Sequence, residues 1–282
     1  MQSDVEVAKA ALISHHSQQS YAPQDYYDNV VNANGEYLGP YVPYIGKLYF
    51  GPTPRVLIYA MSQNLARTPS AVTVWRKRSD KGMLRQYYYP DKPSVSITPY
   101  DDGHLKVIAA LALDAYPNTD YEPSDNVDDK IAVTNFVKFS FYRQKGDGTR
   151  LDANPPLDIY DTMWKCYSKY EVEVLQPDLI IGAGNDVANA LRRGLQQDGK
   201  HTTLIKIPFP GRLNLSSRWV PKGKRLIRNE GCDPEPDKLG LRAVIQGTPD
   251  KAGLIRKAIQ VDWYYFREMK KCISEKFGGL PK

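Results

Sequence analysis

The apolar positions of this chain fall into runs with two different periods. Val56 to Met61, Ile131 to Phe139, Asp178 to Gly182 and Thr203 to Pro208 are short, mostly apolar runs bounded by turn residues. That pattern suits strands buried on both faces of a parallel sheet. Stretches with helical spacing lie among them: Asp4 to Ile13, capped by Ser3 or Asp4; His104 to Tyr116; Leu157 to Leu175, stopped by Gln176-Pro177; Asn185 to Leu195; and a closing helix from Asp250 to Cys272. Strands alternating with helices predict an α/β fold with a short, mainly parallel four-stranded central sheet. Tyr21 to Pro54 is aperiodic and rich in Tyr, Pro, Gly and Asn, and residues 220–250 are rich in Pro, Gly and charge; both read as loops. With no internal repeat and no linker, the expectation is one domain over residues 1–282, with an N-terminal extension (1–54) and an insertion (66–99).

The strand ends carry the chemistry. In open α/β sheets, ligands bind outside the carboxyl ends of the strands. The first strand runs into Ser62, Gln63 and Asn64, and the second ends around Thr134, Asn135 and Lys138, the last of which reads as a flanking residue. The third turns through Gly182 and Gly184 into a helix. GAGN is neither a G-x-G-x-x-G fingerprint nor a Walker loop, so its plain role is tight strand-to-helix packing. Asp101 and Asp102 precede the helix that starts at His104, where capping and the helix dipole explain carboxylates without any catalytic role.

The insertion at 66–99 carries a different chemistry. Arg67, Arg76, Lys77, Arg78, Lys81 and Arg85 make it basic, and Trp75, Tyr87, Tyr88 and Tyr89 interleave aromatic rings. Cations neutralise phosphates and rings stack on bases, so the mixture suits a nucleic-acid groove. The plainer alternative is a solvated hairpin in which VTVW pairs with QYYY. A net charge of +6 and twenty tyrosines point the same way as the groove, weakly. Three cysteines and four histidines show no ligand spacing, which argues against zinc, an iron–sulfur cluster or a disulfide framework. No metal and no cofactor are expected. No apolar run approaches bilayer length and no signal-peptide pattern is present, so a cytoplasmic protein without membrane contact is expected.

Read together, AMSQN, TNFVKF, IIGAGN and PFPGRLNLSSRW resemble the strand ends of the uracil-DNA glycosylase superfamily over about residues 45–219. The resemblance implies a three-layer α/β/α sandwich and an enzyme that flips a nucleotide from DNA and hydrolyses its N-glycosidic bond. Ala60-Met61-Ser62-Gln63 stands where that family has its water-activating motif, and Pro99-Tyr100 where it has the ring that stacks on the base. Asn135 stands at the position that reads the base edge. Phe209-Pro210-Gly211-Arg212-Leu213 replaces the family's second motif, with Leu213 as the wedge into the base stack and Phe209 against the base. Arg212, Asn214, Ser216, Ser217 and Arg218 are then DNA contacts.

Two departures matter. The family's water-activating carboxylate or amide is Ser62 here, and its motif histidine is Phe209. Asp101 or Asp102, following Tyr100, could replace the missing acid, with Ser62, Gln63 and Asn64 orienting water. The altered motifs imply a modified pyrimidine, of the bulky kind carried by phages, rather than plain uracil, and with it a role in antiviral defence. The implied partner is DNA, as a duplex with a flipped base or as a single strand, bound by a monomer. The alternative is a catalytically inactive nucleic-acid-binding protein on the same fold. A metal-dependent nuclease would have to draw on Asp101, Asp102 and the acidic loop 120–129. The absence of a G-x-S-x-G elbow, a P-loop and a Rossmann fingerprint counts against other α/β enzymes.

Overall fold

Val56 to Ala60 form the middle strand of the structure, a computed structural model that describes residues 3–19, 38–52, 54–61, 72–78, 84–90, 109, 112–113, 127–139, 142–144, 146–148, 150–152 and 154–207. In chain order the elements are α1 (Asp4–Gln18), β1 (Leu38–Tyr41), β2 (Tyr44–Ile45), β3 (Val56–Ala60), β4 (Val72–Arg78), β5 (Leu84–Pro90), α2 (Val127–Lys130), β6 (Ile131–Asn135), β7 (Tyr142–Gln144) and β8 (Arg150–Asp152). A 3₁₀ turn at Leu157–Ile159 then leads into α3 (Tyr160–Met163), a π turn at Trp164–Ser168 and α4 (Lys169–Leu175). Then come β9 (Leu179–Ala183), α5 (Asn185–Gln197) and β10 (Thr203–Ile207).

All five residues of β3 are fully buried. β3 pairs in parallel with β6 on one side and β9 on the other, and β9 pairs in parallel with β10. The four anticipated strands are therefore contiguous and parallel. The sheet has a fifth member, however: β2 runs antiparallel along the free edge of β6, giving the order β10-β9-β3-β6-β2. The fold is thus α/β with a mixed five-stranded sheet. The anticipated loop from Tyr21 to Pro54 accordingly contains β1 and β2.

Leu57 and Tyr59 of β3, Ala132 of β6 and Ile180 of β9 join one hydrophobic core with α1, the helical stretch from Ile159 to Leu175, and α5. The helices pack through regular buried stripes. In α5 these are Val187, Ala188, Ala190, Leu191, Gly194 and Leu195, the spacing of a helix with one buried face. In α1 they are Val5, Ala8, Leu12 and His16. Ser3 caps α1 by accepting the Glu6 N–H at 3.3 Å. Val56, Ile58 and Ala60, on the opposite face of β3, are just as buried. Ala109, Ala112 and Leu113, the described part of the anticipated 104–116 helix, are helical and fully buried.

Gly182 and Gly194 are fixed by close approach. A side chain on Gly182 would meet the Ala188 backbone at 3.0 Å, the tight strand-to-helix packing expected of the GAGN turn. One on Gly194 would run into the Trp164 ring, so α5 is held against the π turn. Gly184, at φ 105°, makes the turn into α5 in a conformation that side chains disfavour.

The insertion forms a ribbon. β4 and β5 pair antiparallel, as the hairpin alternative has it, with Val72 to Trp75 opposite Pro90 to Tyr87, and β1 adds in parallel to β5. The anticipated closing helix 250–272 lies outside the described residues. No helix among the described residues is long and apolar enough to cross a membrane.

Candidate functional site

The aligned register brings the C-terminal ends of the four parallel strands to one level. Ala60 pairs with Asn135, Tyr59 with Gly182, and Ala183 with Ile207. Neighbouring strands lie about 4.8 Å apart, so this edge spans roughly 14 Å from β6 to β10. It is closed by backbone bonds that outlast the strands. Phe136 N–H donates to Ala60 O and Val137 N–H to Met61 O, both at 2.8 Å, and Gly184 N–H donates to Ile207 O at 2.8 Å.

β6 ends at Asn135 and not at Phe139 as its apolar run suggested. Phe136 and Val137 turn into the helical core instead of continuing the strand, and Phe136 stacks on Tyr160 with ring centres 5.5 Å apart. Asn135, the expected base-reading residue, is completely buried at this corner, on the sheet face shared with Ala60. It is the one anticipated site residue that the structure describes. Ser62, Gln63, Asn64, Tyr100, Asp101, Asp102, Phe209, Arg212, Leu213, Asn214, Ser216, Ser217 and Arg218 lie outside the described residues. Two of these segments follow described strand ends directly in the chain: Ser62 comes after Met61, and Phe209 is two residues beyond Ile207.

Lys138 is not a flanking residue. Its side chain is fully buried, and its ammonium donates to the Asn135 carbonyl at 2.5 Å and to Thr134 Oγ1 at 2.8 Å. The same nitrogen lies 2.5 Å from Glu171 Oε1, an ion pair with both partners completely buried. Tyr59 donates its O–H to Glu171 Oε2 at 2.9 Å and lies 3.4 Å from the Ser168 carbonyl. His16 Nε2 stands 3.4 Å from Glu171 Oε1, with no hydrogen bond to either ring nitrogen among the described residues. One buried polar node therefore joins α1, β3, α4 and the end of β6.

Burial governs the protonation of this node. It pulls the Lys138 ammonium down to about 8, against the opposing pull of Glu171. Burial likewise raises the Glu171 carboxyl, while Lys138 and the Tyr59 hydroxyl favour its ionised form. His16 is held neutral, well below its ordinary value, by burial first and then by Lys138 and His15. The Tyr59 hydroxyl is pushed well above its usual range by burial and by Glu171.

Sequence reasoning passed over Glu171, Tyr59 and His16. A signal existed for two of them. Trp164, Tyr167, Ser168, Val172 and Leu175 mark the buried stripe of the helix, and Glu171 falls on it. His16 likewise continues the stripe of Val5, Ala8 and Leu12. A titratable residue in such a register must find a partner or lose its charge. The π turn adds acceptors: the Cys166 carbonyl lies 2.9 Å from His15 Nε2, and that of Ser168 faces Tyr59.

The ribbon stands on the same side of the sheet as the candidate edge. Because β2 runs antiparallel to β6, the chain reaches it from the C-terminal edge, and Tyr41 N–H donates to the Lys138 carbonyl at 2.9 Å. By register, Thr73, Trp75, Lys77, Arg85, Tyr87 and Tyr89 share one face of the β4–β5 ribbon. Among the described residues, no group of three or more His, Cys, Asp or Glu is placed to hold a metal ion. No family model matches the chain, and no curated protein matches it.

Proposed function

We propose that the protein is a DNA glycosylase of the uracil-DNA glycosylase type, with a three-layer α/β/α architecture, acting on a modified pyrimidine. One observation carries most of the weight. The four strands whose ends bear AMSQN, TNFVKF, IIGAGN and PFPGRLNLSSRW are neighbours in one sheet, point the same way and stop at the same level. Motifs far apart in the sequence thus start from a common edge. The ribbon supports a nucleic-acid substrate, since it mixes aromatic and cationic positions beside that edge.

In this reading an extruded base meets Asn135 along its hydrogen-bonding edge and Tyr100 across its face. Leu213 fills the gap left in the duplex, which offsets the few kcal/mol lost on unstacking. Cleavage builds positive charge on the sugar and negative charge on the leaving base. Asp101 or Asp102 holds the attacking water, oriented by Ser62, Gln63 and Asn64. Water adds at C1′, the glycosidic bond breaks, and the base departs with the bonding electrons and takes up a proton. Arg212, Asn214, Ser216, Ser217 and Arg218 contact the flanking backbone, and Phe209 packs against the base.

The test is incubation with DNA carrying modified cytosines, followed by mass spectrometry of the free bases and alkali cleavage of abasic sites. Release of a modified pyrimidine that the Asp101→Ala/Asp102→Ala double variant no longer achieves is the expected result. Unchanged excision by that variant would remove the carboxylate role. DNA binding with no released base from any substrate would favour a non-catalytic binding protein.

A further inference from the structure

We propose that Lys138 is a positioning residue whose buried ammonium clamps the end of β6 to Glu171 of the helical layer and so fixes where Asn135 is presented. The role of Asn135 rests on the glycosylase reading; the clamp does not. The geometry is specific. Lys138 Nζ reaches back across the turn to the Asn135 carbonyl and to Thr134 Oγ1, the last two residues of the strand. On its far side it meets Glu171, which is held in turn by the Tyr59 hydroxyl of the central strand. The Lys138 backbone carbonyl accepts from Tyr41, so the same residue ties β1, and with it the ribbon, to the corner.

A structural ion pair alone does not require this place. Burying an ammonium and a carboxylate is costly, and apolar replacements of a buried pair are often as stable. What an apolar pair cannot do is hold a carbonyl from within. The ammonium takes one acceptor from the strand end, one from a strand side chain and one from the helix, so the peptide after Asn135 has a fixed height relative to the helical layer. The Phe136 and Val137 amides, which donate to Ala60 and Met61, report that height directly.

The experiment uses the full chain carrying Lys138→Met and Glu171→Met together, which removes the pair without leaving an unpaired charge. Its denaturation midpoint is expected to lie closer to that of the wild type than that of Lys138→Met alone does. Hydrogen exchange of the Phe136 and Val137 amides is expected to accelerate about tenfold while the β9 amides are unchanged, the scale of one lost hydrogen bond. The second readout is binding to duplexes with and without a glucosylated cytosine: the preference between them shrinks, while salt-dependent affinity for plain duplex is kept. Wild-type exchange at both amides overturns the clamp. Faster exchange with an unaltered preference confines the clamp to the backbone and overturns its effect on Asn135. A wild-type protein that shows no preference sinks the base-reading role of Asn135 and leaves the exchange result to decide the clamp. Should the double variant fail to fold, Glu171→Gln carries the same test, because it keeps an acceptor and removes the countercharge. Faster exchange then supports the clamp and wild-type exchange overturns it.

Discussion

The two ends of the central sheet are finished in opposite ways. At the N-terminal end, Arg55 and Asp178 lead into β3 and β9 and close on each other: Arg55 N–H donates to the Asp178 carboxylate at 2.8 Å, and Asp178 N–H donates back to the Arg55 carbonyl at 2.9 Å. Their side chains, 3.7 Å apart, are 30% and 45% exposed. Lys47 and Asp129 form a second, partly exposed pair at the same end. At the C-terminal end the pair is Lys138 and Glu171, both 0% exposed. Water shares the work at the first end and is excluded from the second. Charge at the N-terminal end is therefore replaceable, whereas charge at the C-terminal end holds only while every partner stays in place. In such sheets, that demanding end is also where ligands sit.

The largest effect is expected from Lys138→Met alone, which leaves Glu171 buried without its cation. It should cost about 3–5 kcal/mol in chemical denaturation, with much of that recovered when Glu171→Met is added. Tyr59→Phe removes a hydrogen bond to the same carboxylate and should cost about 1.5–3 kcal/mol. Arg55→Ala at the other end should cost about 1 kcal/mol or less, since the Arg55 amide still satisfies Asp178. Equal costs at the two ends would erase the distinction.

A finer test uses pH. His16 is neutral in the folded protein, while in the unfolded chain it takes up a proton near its ordinary value of 6.5. Below that value the unfolded state binds more protons, so the His16 contribution to stability is present above pH 6.5 and lost as pH falls. Glu171, raised in the folded state, acts in the opposite direction on the acid side, and Lys138 and His15 also face His16. The wild type should therefore lose stability relative to His16→Phe as pH drops from 7 to 5. A difference that stays flat with pH would place a charged imidazole in the core.

The architecture was legible where hydrophobicity alone decides structure. Four continuous apolar runs became four contiguous parallel strands, and the helices at 157–175 and 185–197 kept their stripes. β2 was hidden because two residues in a Tyr- and Pro-rich loop carry no period; it exists because β6 offers a free edge. The end of β6 was misplaced for a related reason: Phe136 and Val137 are apolar because they enter the core from a turn. Nothing in WKCYS announces a π turn, since it holds neither Pro nor Gly. The sequence indicated the common strand edge and put Asn135 near the end of its strand, where the structure has it, while the buried node went unread. A lysine near a strand end and a glutamate within a helix look ordinary until the register places both inside.

The most direct measurement is the mass spectrum of free bases released from DNA containing modified cytosines, taken with wild-type protein and with Asn135→Ala confirmed as folded. Release of a modified pyrimidine by the wild type, reduced at least tenfold in the variant, is the predicted result. No free base from any modified DNA, or release undiminished by the loss of Asn135, would contradict a base-reading edge at the ends of these strands.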